Sequence, residues 1–238
     1  MKYFDNEYYD MMSKLVLKSF NIDDRANNYT ETYYEELYEE CIEAFLNQKN
    51  YEDAKKDFKK LLLLNITELK CQLPKHIMDS IKDIRVAALG VVSQEIYNEI
   101  IINNNAIERY FNNRYEKYKE NYLEVRKVIS KNCLEALDCF IEDGSLIKYE
   151  IINADVILYL SLDSYTKKGG YDLRLIFKNG KFNEIVGNFN DEYIRTFEVY
   201  YINGQIEYHM KLIYSQCIII SDDIYHEYSE DYKVREGL

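Results

Sequence analysis

Near residue 142 the apolar residues of this chain change their spacing, and that change restricts the fold more than any other feature of the sequence. Before it, apolar side chains recur every three or four positions, the period of a helix with one buried face. After it they recur at every second position, the period of a strand. One layer of secondary structure cannot satisfy both periods, so the chain is expected to be α+β. An N-terminal all-helical part is followed by a C-terminal antiparallel, curved or partly closed β-sheet. The expected domains are 1–142 (helical) and 143–238 (antiparallel β), divided at "EDGS", Glu142 to Ser145.

Within the helical part, Thr32 followed by Glu35 has capping-box spacing, and Leu37, Cys41, Phe45 and Leu46 then fall at helical intervals. Asn50 caps a second predicted helix, whose Lys55, Lys56, Lys59 and Lys60 read as a solvated face, against the alternative of a phosphate contact that so acidic a chain disfavours. Asn65 with Glu68 repeats the capping-box signal, and Pro74, the one proline, opens a helix from about Lys75 to Ile102. The Asn103 to Asn105 run should break it before a long helix from about Ala106 to Ile141.

Strands are expected near 146–152, 155–162, 171–178, 181–187, 196–202, 205–214 and 216–221, joined by short links that favour antiparallel neighbours. Asn179-Gly180 and Asn203-Gly204 both sit between apolar runs and predict type I′ hairpins. In the second of these, Ile206, Tyr208, Met210, Leu212 and Tyr214 should face a core, and Gln205, Glu207, His209 and Lys211 should face water.

Charge narrows the partners. With 30 Lys+Arg against 42 Asp+Glu, a net charge of -12 repels phosphate backbones and anionic lipid, so neither nucleic acid nor membrane is an expected partner. The five cysteines are odd in number and form no C-x-x-C pair, which favours reduced thiols in a cytoplasm; Cys217 reads as a buried strand residue. The first twenty residues lack a signal-peptide pattern, and no stretch is apolar for long enough to span a bilayer. Tyrosine is abundant, at 25, which fits either codon usage in an AT-rich genome or a binding surface.

Arg85, inside "DIRVAALGVV", is the most informative single residue. On a continuous helix its neighbours one turn away, Ile81, Lys82, Ala88 and Leu89, carry no acid, and Asp83 would point to the opposite side. Its guanidinium must then either reach water along its own stem or meet a carboxylate from another element. The functional version has Arg85 hold an anionic ligand, or a partner's carboxylate, between the halves.

No Walker A loop, dinucleotide fingerprint, nucleophile elbow or H-E-x-x-H helix is present, which lowers the expectation of an enzyme. The three histidines, His76, His209 and His226, do not pair with one another at ligand spacing. Asp222, Asp223 and His226 in "SDDIYHEY" are candidate metal ligands of mixed carboxylate and imidazole type, against a solvated acidic terminus. Tyr208 and His209 join Arg85 as candidate ligand or partner contacts, and no cofactor is implied.

The opening "MKYFDNEYYDMM", the central "DIRVAALG" after Pro74 and the late "IIISDDI" together resemble a bacterial family catalogued as domain of unknown function 4085, seen mainly in low-GC Gram-positive bacteria. The resemblance implies a bacterial cytoplasmic protein with Arg85 and Gly90 inside the family signature, and it transfers no catalytic residue. The expected function is a non-catalytic protein-interaction module, including the immunity type in which an acidic face covers a basic toxin. The alternative is an enzyme or small-ligand binder with an anion or metal site between the helical and β halves.

Overall fold

The structure is a computed structural model that describes residues 1–46, 50–139, 141, 144–162, 170–189 and 191–237. It is α+β, with helices mainly N-terminal and one antiparallel sheet C-terminal. The expected division at 142 and 143 falls outside the described residues. The compact units divide elsewhere: Asn6–Asn113 form a helical unit, and Met1–Asp5 cluster with Arg114–Leu238 in a sheet unit. No helix among the described residues is long and apolar enough to cross a membrane.

The helical unit opens with α1 (Asn6–Met12), a two-residue strand β1 (Asn21–Ile22) and a 3₁₀ turn at Asp24–Asn27. Helix α2 (Glu31–Phe45) is capped by Thr30, whose hydroxyl accepts from Tyr33 N, and not by Thr32. Asn50 does cap α3 (Tyr51–Gln72). That helix continues through Asn65, where a new start was expected, because the Asn65 amide is used sideways and donates to Ala88 O at 3.1 Å.

The single helix expected from Lys75 to Ile102 is instead three elements. Helix α4 (Lys75–Ser80) and α5 (Ile84–Ala88) are separated by extended backbone at Ile81 and Asp83. Strand β2 (Val91–Val92) then pairs in parallel with β1. Asp83 is the N-cap of α5, and Gly90, at φ +90°, turns the chain into β2. Helix α6 (Gln94–Val125) runs straight through the asparagine run. Asn104 spends its amide on the backbone of Val16, accepting from its N at 3.2 Å and donating to its O at 2.8 Å. Polar residues that read as a break are there a tertiary clasp. The core of this unit is built from Val16, Leu62, Leu69, Leu73, Ile77, Ala87 and Ile100, among others.

In the sheet unit α6 ends at Val125 and a short α7 (Lys131–Leu137), capped by Ser130, replaces the rest of the long helix expected to Ile141. Strands β3 (Ser145–Ile152), β4 (Asp155–Ser161), β5 (Leu173–Lys178), β6 (Lys181–Val186), β7 (Glu192–Ile202), β8 (Gln205–Leu212), β9 (Gln216–Ser221) and β10 (Asp223–Tyr228) follow, then α8 (Glu230–Glu236). The order in space is β10-β5-β4-β3-β7-β8-β9-β6. Strand β3 meets β7 only at Ser145 with Tyr193 and Leu146 with Glu192. The sheet therefore forms two four-stranded wings around one core, and it is not closed. Leu158, Leu160, Leu175 and Phe177 from one wing and Val199, Tyr208, Met210 and Ile219 from the other share that core with Cys133 and Leu137 of α7.

The Asn-Gly signals split. Asn203 and Gly204 both have positive φ, 52° and 83°, and join β7 to β8 as a type I′ hairpin. Asn179 has φ 46°, but Gly180 is not in the left-handed region, so the turn lacks the I′ twist. It carries the chain from one wing to the other, β5 pairing β4 and β10 while β6 pairs β9. A Cβ at Gly180 would lie 2.7 Å from Phe177 O, so the turn is also too tight for any side chain. Strand β10 and helix α8 were not expected from the sequence, where the acids of this segment read as a solvated tail.

Glu198 fixes the first residues of the chain. Its fully buried carboxylate accepts from Lys2 N at 2.8 Å, Tyr3 N at 2.9 Å and Phe4 N at 2.6 Å, and from the Tyr200 hydroxyl. A buried carboxylate needs such donors, because it has lost its water.

The β3–β4 turn has type I′ twist as well, with Asn153 at φ 50° and Ala154 at φ 69°. An alanine Cβ is strained in that region by about 1–2 kcal/mol. Ala154→Gly should therefore stabilise the protein by about 0.5–1 kcal/mol once the greater freedom of unfolded glycine is subtracted, read as a higher urea midpoint at unchanged slope. A lower midpoint would mean that the turn does not hold Ala154 at positive φ.

Candidate functional site

Arg85 is the second residue of a short helix whose cap decides its geometry. Because Asp83 is extended (φ -139°) and not helical, its carboxylate folds back over the start of α5. It accepts from Arg85 N at 2.9 Å, from Nε at 3.1 Å and from Nη2 at 2.8 Å. The expectation that Asp83 points away is thus corrected: that geometry holds only inside a continuous helix. Glu31, the first residue of α2, supplies the second carboxylate and accepts from Nη1 at 3.0 Å and Nη2 at 2.8 Å. The Tyr29 hydroxyl donates to Glu31 at 2.6 Å and accepts from Nη2 at 3.2 Å, and the guanidinium lies 3.9 Å from the Tyr34 ring centre. The Arg85 guanidinium holds the Glu31 carboxyl down at about 2, with help from Tyr29. Glu31 first and Asp83 second raise Arg85 above its ordinary range. With its donors directed at two carboxylates of its own unit, Arg85 is a staple between α2 and α5. It is not a waiting anion receptor.

The same device occurs once more. Asp23 caps the 3₁₀ turn and accepts from Arg25 N at 2.9 Å and from its Nε at 2.9 Å, and the Arg25 guanidinium lies 4.5 Å from the Tyr33 ring. Two Asp-x-Arg caps thus stack on consecutive tyrosines in the first turn of α2. The spacing Asp-x-Arg was visible in the sequence at Asp23 and Asp83, but Asp172-x-Arg174 shares it and leads into strand β5, so spacing alone does not locate the cap, and it carries no signal for Glu31.

Beside the staple lies a groove of about 570 Å³. One wall is Tyr34 and Tyr38, a turn apart on α2. The other is a strip of α3 in which Lys55, Lys56 and Lys59 occupy the first half, and Leu62, Leu63 and Ile66 the second. Glu52 lies at the lysine end, and Arg85 also borders the groove. Lys55 is 4.0 Å from Glu39, a loose and exposed contact. Among the described residues no carboxylate pairs with Lys56 or Lys59. The exposed Leu63, at 58% exposure, leaves apolar surface uncovered at the other end.

The other sequence candidates are not brought together at one place. Tyr208 is buried in the sheet core, its ring 5.2 Å from Phe177, and it presents nothing to a partner. His209 was expected on a wet face but is only 6% exposed. Tyr200, 4.9 Å away, covers it, and burial lowers its pKa against the opposing pull of Glu207. Tyr214, expected in the core, is 87% exposed because β8 ends before it.

Asp222 is engaged by the side chains of Asn179 and Gln205, each at 2.9 Å, and Asp223 by Ser130 at 2.7 Å. His226 stands three strand residues beyond Asp223, about 10 Å along β10. Among the described residues no group of three or more His, Cys, Asp or Glu is placed to hold a metal ion. His226 instead borders a polar cleft of about 530 Å³ with Tyr171, Arg174 and Tyr228. Cys217 is buried as expected, and burial pushes its thiol up to about 12. Cys133 is likewise pushed up to about 12, so neither thiol is poised as a nucleophile.

In comparisons with known proteins the chain matches no family model, no curated protein and no solved structure.

Arg85→Met should lower the melting temperature at pH 7 by about 4 °C, the scale of a lost partly buried staple in a chain of this size. Because the folded-state pKa of Glu31 is depressed from 4.5 to about 2, its contribution is present above the ordinary carboxylate range and disappears as pH falls through about 2. The gap between wild type and variant should therefore hold down to about pH 5 and shrink between about pH 4.5 and 2. A gap that persists undiminished at pH 2 would contradict the assignment of the pairing to Glu31.

Proposed function

We propose that this protein is a non-catalytic protein-interaction module and that the groove beside Arg85 is its recognition surface. The observation that carries the reading is the pairing of Lys56 and Lys59, which have no ion-pair partner within 4 Å among the described residues, with uncovered leucine surface, on one strip of α3 that also carries Glu52, in a chain of net charge -12. Solvated lysines alone would be unremarkable on a helix face. Here they continue into an apolar stretch of the same strip, and protein interfaces combine such steering charge with apolar anchors.

An acidic protein that keeps a local basic rim favours an acidic partner segment. The immunity type, with an acidic face laid on a basic toxin, is supported by the net charge and draws nothing from this groove. In the same proposal the protein is bacterial and cytoplasmic and related to the family that "DIRVAALG" resembles. A small-ligand alternative is best supported at the polar cleft of Arg174 and His226, where aromatic groups converge with the ion pairs Arg174–Glu227 and Lys233–Glu230.

The test is capture by tagged wild-type protein from a low-GC Gram-positive lysate, beside a Lys55→Glu/Lys56→Glu/Lys59→Glu variant. The three lysines are surface residues, so the variant should keep the wild-type melting temperature within about 2 °C. A stoichiometric protein partner held by wild type and lost by the variant is the expected result. Retention of the partner by the variant, or co-elution of a small molecule with no protein, would contradict the reading.

A further inference from the structure

We propose that the groove receives an amphipathic α-helix of the partner, acidic in its first two turns, apolar in its last two, and running in the same sense as α3. The inference rests on the interaction reading above and specifies the docking element.

Length and shape come first. The strip of α3 from Glu52 to Ile66 that lines the groove covers fourteen residue steps, about 21 Å at helical rise. An occupant that touches both ends must be that long, which a four-turn helix is. Small ligands are held in concave sites that bury most of their surface, whereas the lining here is drawn out along α3 from Glu52 to Ile66. An elongated occupant fits better. A helix laid in a groove does so by anchoring every third or fourth side chain.

Charge then sets the direction. The two ends of the strip differ: Lys55, Lys56 and Lys59 lie toward the start of α3, and Leu62, Leu63 and Ile66 toward its end. Tyr34 and the Arg85 staple stand at the apolar end, since the Asn65 amide of α3 reaches α5 there at Ala88. Tyr38 stands near the middle, its ring 5.4 Å from Phe58. The complementary occupant carries carboxylates over the lysines and leucine-like anchors over Leu62, Leu63 and Ile66. A helix is most stable with its acids at its own N-terminus, where they meet the positive end of the macrodipole. Setting that end over the lysines makes the docked helix parallel to α3.

The probe is a capped, fluorescently labelled peptide of about 16 residues, with Glu in its first two turns and Leu anchors at i, i+3 and i+7 in the rest. It is titrated into the full chain by anisotropy and mapped by amide NMR shifts. Three controls accompany it: the same composition with the acids placed last, a proline-interrupted version, and laurate as a small anionic amphiphile.

The expected result is saturable binding, with shifts along 52–66 and at Tyr34 and Tyr38. Affinity should fall at least about tenfold for the acids-last peptide and for the triple lysine variant, and should weaken with salt. Equal binding of the proline-interrupted peptide overturns the helix while leaving an acidic protein segment in place. No saturable binding of the acids-first peptide overturns the inference. If lysate capture still depends on the lysines, the interaction reading survives that failure. Laurate displacing the peptide, or binding where no peptide does, assigns the groove to a small amphiphile and overturns both.

Discussion

The helical unit depends on a planar cation held between two carboxylates that the chain brings together from residues 31 and 83. One guanidinium donates to Asp83, which also caps α5, and to Glu31, which opens α2, while its face lies on Tyr34. A single exposed ion pair would contribute little. The forked geometry and the aromatic face make this one specific, because a misplaced α2 loses the Glu31 bonds and the Tyr34 face together, while Asp83 keeps the guanidinium in place on α5. Arg25 repeats the arrangement on Tyr33 through Asp23. The parallel pairing of β1 with β2 places the two Asp-x-Arg caps beside the same helix start, with Asp23 N bonded to Val92 O at 3.0 Å. The wall of the groove, Tyr34 and Tyr38, takes its position from these clamps.

The fold class was legible because it depends on period, and period survives local errors. Alternation in "DVILYLSLD" predicts β4 well, although its Ile157 and Tyr159 are buried too, so that both of its faces are covered. What a period cannot show is where a polar residue spends its hydrogen bonds. Asn65 and Asn103 to Asn105 read as punctuation, yet Asn65 and Asn104 bond to backbone far away in sequence while their helices continue. Asp83 and Gly90 were the true punctuation, and an apolar stripe that runs past both concealed them. The two Asn-Gly pairs are identical as words. Their different outcomes follow from which strands the shared core needed as neighbours, information that is not local.

The candidate site was legible in pieces. Arg85 and the lysines of α3 were both visible, and a carboxylate from another element was one of the two outcomes open to the arginine. That the same neighbourhood holds all of them depends on the crossing of α2, α3 and α5, which spacing does not encode. Tyr208 and His209 failed as contact residues for a related reason. Strand alternation assigns faces correctly, but the face carrying His209 is covered by Tyr200, and the neighbouring Glu198 gathers Lys2, Tyr3 and Phe4 by their backbone. Tyr208 lies on the core side. Asp222 and Asp223 read as candidate metal ligands or as a solvated terminus, and the structure uses them to tie Asn179, Gln205 and Ser130 to the start of β10.

The central claim is that Arg85 positions the start of α2 and through it one wall of the groove, and amide hydrogen exchange tests it most directly. In Arg85→Met at pH 7, the hydrogen-bonded amides of Tyr33 to Tyr38 and of Arg85 to Ala88 should lose protection, while those of β4 and β8 in the sheet unit keep theirs. Unchanged protection in α2 and α5, with the variant folded, would show that the clamp does not hold the groove and would contradict the account.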